Sequence, residues 1–263
     1  MARFIEKVQV NIPLTMLYES FLDRFIMEGI NPEIGVDADA LDRYSHFDLK
    51  AIAERLLENG LSVTLHGPFM DLSPGSPDRE VISVTRVRFE QMLGLVRLFK
   101  PKTVVCHTGY DKKRYWHMKD AWVEKSLEMW SWVGAGVRDE GALLMLENVY
   151  EQDPADMLVL FENLEKHDVG FCLDTGHHSV FSNVPAEAWV ASLGRYLGQL
   201  HLHDNHGEQD EHLAMGRGRI DFRMLFSCLK AVKKEPPAVI TLEPHTEGDL
   251  LPSLEYLEKT WPW

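Results

Sequence analysis

Residues 169–177 read VGFCLDTGH. The run begins with apolar residues and ends on Asp174 and His177, the histidine following after a turn that Gly176 permits. A short apolar stretch of this kind is the mark of a strand buried on both faces, as in parallel sheets. The same form recurs along the chain, in VQVNI (8–12), EIGVD (33–37), LSVTLHGP (61–68), KTVVCHTG (102–109), ALLMLENV (142–149), LGQLHLHDN (197–205) and AVITLEPH (238–245). Amphipathic segments separate these runs. LKAIAERLLENG stops at Gly60, and VTRVRFEQMLGLVRLFK, DFRMLFSCLKAV and SLEYLEK follow. No linker or low-complexity stretch divides the chain. Eight β-then-α units predict the α/β class and a single closed (β/α)8 TIM barrel, one domain over residues 1–263. The rival is an open doubly wound sheet. Against it, the first strand runs on as VQVNIPL, with no glycine-rich turn.

Composition narrows the function classes. The 263 residues suit a barrel, and 45% hydrophobic residues supply a large core. No apolar run is long enough to span a bilayer. The start, MARFIEKVQVN, lacks an apolar signal stretch, and the three cysteines (Cys106, Cys172, Cys228) are scattered with no CxxC pair. These features point to a reducing, cytoplasmic setting and against a disulfide framework or a thiolate zinc site. The net charge of −14 opposes binding to a long polyanion.

The strand ends carry the chemistry. His66 closes the third run and His107 the fourth. Glu147 closes the fifth, Asp174 with His177 the sixth, His201 with His203 the seventh, and Glu243 the eighth. In a barrel these ends converge on one mouth, where active sites form. A lone histidine or glutamate at a strand end is ordinarily a satisfied hydrogen-bonding residue. Six consecutive strands delivering such groups are different, because buried imidazoles and carboxylates without partners are costly. Divalent metal is the simplest common partner. Beyond the seventh strand, Asp210-Glu211-His212 sets two ligand types on alternate residues, so they share a face in an extended loop while Glu211 points away.

Taken together, LHGPF, VVCHTG, LMLENV, CLDTGH, LHLHDN, DEH with LAMGRGRIDF, and TLEPH resemble the xylose-isomerase-like TIM barrels. That superfamily is shared by endonuclease-IV-type phosphodiesterases (AP endonuclease family 2) and sugar isomerases and epimerases. The resemblance implies one of two metal sites. The isomerase type would hold one divalent ion on Glu147, Asp174, His201 and Glu243, with the two glutamates moving protons at a sugar carbon. The endonuclease-IV type would hold up to three zinc ions on nine residues, with Glu147 bridging. His66 and His107 would complete one site, Asp174, His201 and Glu243 the second, and His177, Asp210 and His212 the third.

Charge separates the two. Three divalent ions against four carboxylates leave a positive cluster, suited to a phosphodiester whose transition state gains negative charge. One ion against three carboxylates leaves a slightly negative site, suited to proton abstraction beside a carbonyl. His66, His107, Asp210 and His212 have no obvious work in a one-metal site, so the multinuclear reading is preferred. It makes the chain a metal-dependent hydrolase of a small phosphodiester, with zinc as the expected ion and manganese, cobalt or magnesium as substitutes. The alternative is a single-metal sugar or cyclitol isomerase or epimerase. Duplex DNA is disfavoured, because the early loops (NIPLTML, VDADALDRYS, LHGPFMDLSPGSPD) are poor in Lys and Arg. For a small-molecule substrate, Lys112 and Arg114 in DKKRYW, His203, and Arg217 in MGRGRID are the expected binding residues.

Overall fold

A computed structural model describes residues 2–263 apart from 234, 236 and 238. Eight parallel strands close in sequence order: β1 (Gln9–Pro13), β2 (Asn31–Gly35), β3 (Thr64–His66), β4 (Thr103–His107), β5 (Leu143–Glu147), β6 (Gly170–Asp174), β7 (Leu197–Leu202) and β8 (Val239–Leu242). The single barrel is therefore as the sequence predicts. The eighth run was expected from residue 238, which lies outside the described residues. The second strand begins two residues before its expected start.

The strands show why their sequences alternate. On β5, Leu144 and Leu146 pack outward into the core shared with the helices. Val105, Met145 and Cys172 form a separate small cluster on the opposite, interior face. Helices cover the outside. Helix His46–Glu58 is opened by a Ser45–Asp48 capping box. Asp78 caps the long helix Arg79–Phe99 and Asp221 caps Phe222–Val232. Among the described residues no helix is long and apolar enough to cross a membrane.

Two features differ from the sequence reading. Thr175 to Phe181 form a helix rather than a loose turn, and Asp174 is its N-cap, accepting from His177 N at 2.6 Å. Gly176 is then needed for space, not for turning. A Cβ there would stand 1.9 Å from His203 Cε1.

Candidate metal centre

Strand register sets the site. His107 lies opposite Glu147 across β4 and β5, and Asp174 lies opposite His201 across β6 and β7. Glu243 follows β8 directly, and its backbone N–H donates to Leu202 O. All nine residues expected as ligands meet at the mouth. His66 Nε2 is 3.1 Å and His107 Nε2 3.5 Å from Glu147 Oε2. His201 Nδ1 is 3.4 Å from Glu147 Oε1, 3.9 Å from Asp174 Oδ2 and 3.1 Å from Glu243 Oε1. His177 Nε2 is 3.3 Å and His212 Nε2 3.1 Å from Asp210 Oδ2. Glu211 turns away to pair with His206, leaving Asp210 and His212 together as the spacing predicts.

Four of these imidazoles have one nitrogen engaged and the other turned toward carboxylate. His66 Nδ1 faces Gly67 O at 3.0 Å, His177 Nδ1 faces Asn148 O at 3.0 Å, and His212 Nδ1 faces Glu243 O at 3.3 Å. His201 Nε2 faces Glu33 Oε1 at 2.9 Å. A carbonyl or carboxylate partner fixes the N–H on that side, so the opposite nitrogen carries the lone pair. Lone pairs therefore point at carboxylate oxygens, which is unfavourable unless a proton or a metal ion stands between them.

The protein's own charges reflect this conflict. Burial opposes charging His66, His177, His201 and His212, yet the surrounding carboxylates raise all four, His212 to about 9. Burial likewise opposes ionising Glu147, Asp174 and Asp210, and the histidines still hold all three low. His107 goes the other way: burial pushes it down to about 3. A bound divalent ion would take over the role of the protons, since ligating histidines must be neutral.

The donor set fits divalent metal on a direct observation. His201 Nδ1, His203 Nδ1 and Asp210 Oδ1 are buried with no hydrogen-bond partner. Unsatisfied buried groups of this kind cost stability, and a cation satisfies them. Ligand atoms gather within 4.8 Å in His66–His107–Glu147, Glu147–Asp174–His201, Glu33–His201–Glu243, Asp174–His203–Glu243 and His203–Asp210–His212.

Three placements were not foreseen. Glu33, fully buried on β2, anchors His201 and is held down to about 2: burial opposes its charge, and His201 overrides that. Its signal was an acid opening the run EIGVD, at the end away from the barrel mouth. His203, expected as a substrate-binding residue, lies beside Asp210 and His212. Phe69, partly exposed, stacks on His107 with ring centroids 4.3 Å apart. The expected substrate cations stand apart. Lys112 and Arg114 are exposed on the short helix Lys112–Tyr115, and Arg217 is exposed and pairs with Asp249 at 3.5 Å. Asp204 is scaffolding: its carboxylate accepts from Gly216 N, Gly218 N and Ile220 N.

Comparison with known proteins places the chain in a family. An uncharacterised protein of Methanocaldococcus jannaschii is 26% identical over 207 residues, 76% of this chain and 70% of that protein. The TTHB071 protein of Thermus thermophilus, soaked with zinc chloride, superposes with a TM-score of 0.79 at 26% identity, over 97% of both chains. A D-tagatose 3-epimerase-like protein superposes with a TM-score of 0.80 at 23% identity, over 97% of this chain and 96% of that one. Other sugar epimerases superpose at 16–20% identity. At that distance the likeness is one of fold. The family model for the xylose isomerase-like TIM barrel matches residues 29–260, and the chain belongs to that family.

Proposed function

We propose that this chain is a divalent-metal-dependent isomerase or epimerase of a small polyhydroxylated carbonyl compound, of the sugar or cyclitol class. The observation that carries it is the inner set. His201 Nδ1, buried and without a hydrogen bond, sits between the carboxylates of Glu147 and Glu243, at 3.4 and 3.1 Å, with Asp174 at 3.9 Å. The epimerase neighbours weigh the same way and reverse the order drawn from the sequence, where phosphodiester hydrolysis stood first.

Glu147, Asp174, His201 and Glu243 would hold the ion. When bound, it would polarise the substrate carbonyl and acidify the adjacent C–H. The two glutamates come from strands three apart around the barrel, so their carboxylates approach the same point from different sides. One removes the proton from the carbon beside the carbonyl, leaving an enediolate on the substrate. The other returns a proton, to the opposite face in epimerisation or to the neighbouring carbon in isomerisation. Glu33 keeps the His201 ring oriented through Nε2, and Phe69 covers the His107 side of the mouth.

The test is solvent exchange. Incubation with ketoses and keto-cyclitols in D2O with manganese, cobalt or magnesium should place deuterium on the carbon beside the carbonyl. Glu147→Gln and Glu243→Gln should abolish it. A second reading rests on the histidines beyond the inner set: His66 and His107 on Glu147, and His212 on Asp210, favour hydrolysis of a small phosphodiester. Cleavage of bis(4-nitrophenyl) phosphate by the zinc-loaded protein, with no deuterium uptake by any sugar, would replace the first reading with the second.

A further inference from the structure

We propose that Asn148 is a positioning residue for the inner set: its side-chain amide fixes the spacing of Glu147 and Asp174, on which ion affinity and the reach of Glu147 to the substrate both depend. The effect on turnover rests on the proton-transfer role given to Glu147 above. The effect on ion affinity does not.

The ladder between β5 and β6 ends just below the mouth. Its last registered pair is Glu147 with Cys172. Asp174 lies two residues further on, opposite His201 of β7. Its own N–H and C=O face the β5 side, where the ladder has ended, and the Asn148 side chain stands there in place of a strand. Oδ1 accepts from Asp174 N at 2.9 Å, and Nδ2 donates to Asp174 O at 3.0 Å. Asn148 and Asp174 are both buried, at 1% and 0% exposure, so no solvent would replace either bond.

Few side chains can make this clamp. It needs a donor and an acceptor side by side on a short stem. A carboxylate only accepts, and a hydroxyl has one atom for both contacts. Glutamine carries the amide one methylene too far out.

The clamp joins the two acids of the inner set. Glu147 precedes Asn148 in the chain, and Asp174 is the residue the amide grips. The Asn148 carbonyl adds a third hold, facing His177 Nδ1 at 3.0 Å. One residue thus sets Glu147, the Asp174 backbone and the His177 ring relative to one another. His201 Nδ1 stands 3.4 Å from Glu147 Oε1 and 3.9 Å from Asp174 Oδ2, so a change in the spacing of the acids moves the point where an ion would sit. It also moves Glu147 relative to the carbon whose proton it takes. A general base must lie within hydrogen-bond reach of that proton, so turnover falls steeply with misplacement. Asn148 is buried with its amide turned to Asp174, and it acts through these neighbours rather than on the substrate.

The same device occurs at the other end of the barrel, where it has no chemistry to serve. Asn31, buried at the start of β2, accepts from Ser62 N at 2.8 Å and donates to Glu6 O at 2.9 Å. Both asparagines tie neighbouring backbone segments together. Only Asn148 has an expected metal ligand at each end of the tie.

That pairing supplies the test. Asn148→Ala, Asn148→Ser and the control Asn31→Ala are compared by urea denaturation without metal, by manganese affinity against a chromogenic chelator, and by deuterium exchange at saturating manganese. All three should lose stability. Only the Asn148 variants should lose manganese affinity, by about 10- to 100-fold. Only they should lose kcat, by about 100-fold, with KM nearly unchanged. Asn148→Ser leaves room for a water and carries the comparison should the alanine variant not fold. If neither folds, Asn148 is structural and the proposal falls. It falls too if the folded Asn148 variants bind manganese and turn over as Asn31→Ala does, if their loss is in KM alone, or if the wild type binds no divalent ion. A wild type that binds manganese but exchanges no deuterium would instead remove the isomerase reading, and the affinity comparison would still decide the role of Asn148.

Discussion

Two polar layers lie one above the other inside the barrel, and they are built on opposite principles. In the lower layer, Glu33, Thr64, Thr103, Gln199 and Thr241 satisfy one another. Gln199 Nε2 donates to Glu33 Oε2 at 2.6 Å and to Thr241 Oγ1 at 3.1 Å, Thr103 donates to Gln199 at 2.7 Å, and Thr64 donates to Glu33 at 2.9 Å. In the upper layer, three buried polar atoms have no partner, and four histidines aim lone pairs at carboxylates. A closed network is structural, since each member finds its hydrogen bonds within the protein. An open one of similar burial needs something from outside. The contrast separates barrel support from chemistry among residues that look alike in composition.

The largest effect expected from breaking this contrast is at Glu147, which three histidines and the inner set share. Glu147→Gln should cost about 100- to 10,000-fold in turnover and most of the inner metal affinity, with the barrel still folded by circular dichroism. Chelation comes next. Stripping ions held at about 100 times their Kd should remove about 2.7 kcal/mol of stability. At about 2–4 °C per kcal/mol for a chain of this size, the melting temperature should fall by about 5–10 °C. An unchanged melt after complete metal removal would mean that the upper layer is as closed as the lower.

Glu33 belongs to both layers and sharpens the comparison. Glu33→Gln keeps hydrogen bonds to Thr64 and Gln199 but removes the charge behind His201. It should weaken inner metal binding by about 10–100-fold, measured by competition with a chromogenic chelator. Stability with metal removed should change far less. If the metal-free fold collapses instead, Glu33 is structural first.

Glu151 offers a pH-dependent test beside the mouth. It is buried, takes a hydrogen bond from Thr108 Oγ1 and another from Val149 N, and burial raises its carboxyl from 4.5 to about 7. A pKa raised in the folded state stabilises the protein fully below about pH 4.5, and that stability is lost as pH rises through about 7. The span corresponds to about 3 kcal/mol. Glu151→Gln should therefore gain stability relative to the wild type between pH 5 and pH 8, followed by urea denaturation at each pH. The smallest effect is expected at Arg217. Its exposed pair with Asp249 should be worth less than about 0.5 kcal/mol, so Arg217→Ala should leave the melt nearly unchanged.

Much of this is legible in the sequence. Strands that begin apolar and end in His, Asp or Glu announce a barrel mouth, and the alternate spacing of Asp210 and His212 placed both on one face. Glu33 escaped because it opens its run rather than closing it, and because its partners, His201, Gln199, Thr64 and Thr241, all come from other strands. Which nitrogen of His203 meets Asp174 is hidden too, since spacing carries no information about tautomers. Asp174-Thr175-Gly176-His177 reads as a turn. It is a helix start because the Asp174 carboxylate accepts His177 N and the bare Gly176 backbone lets the His203 ring close in.

The central claim is that the open upper layer is a metal centre. Anomalous X-ray diffraction from crystals grown with manganese or zinc tests it most directly. A peak is expected among Glu147, Asp174, His201 and Glu243. Well-ordered crystals at saturating metal with no anomalous density among those four residues would contradict it.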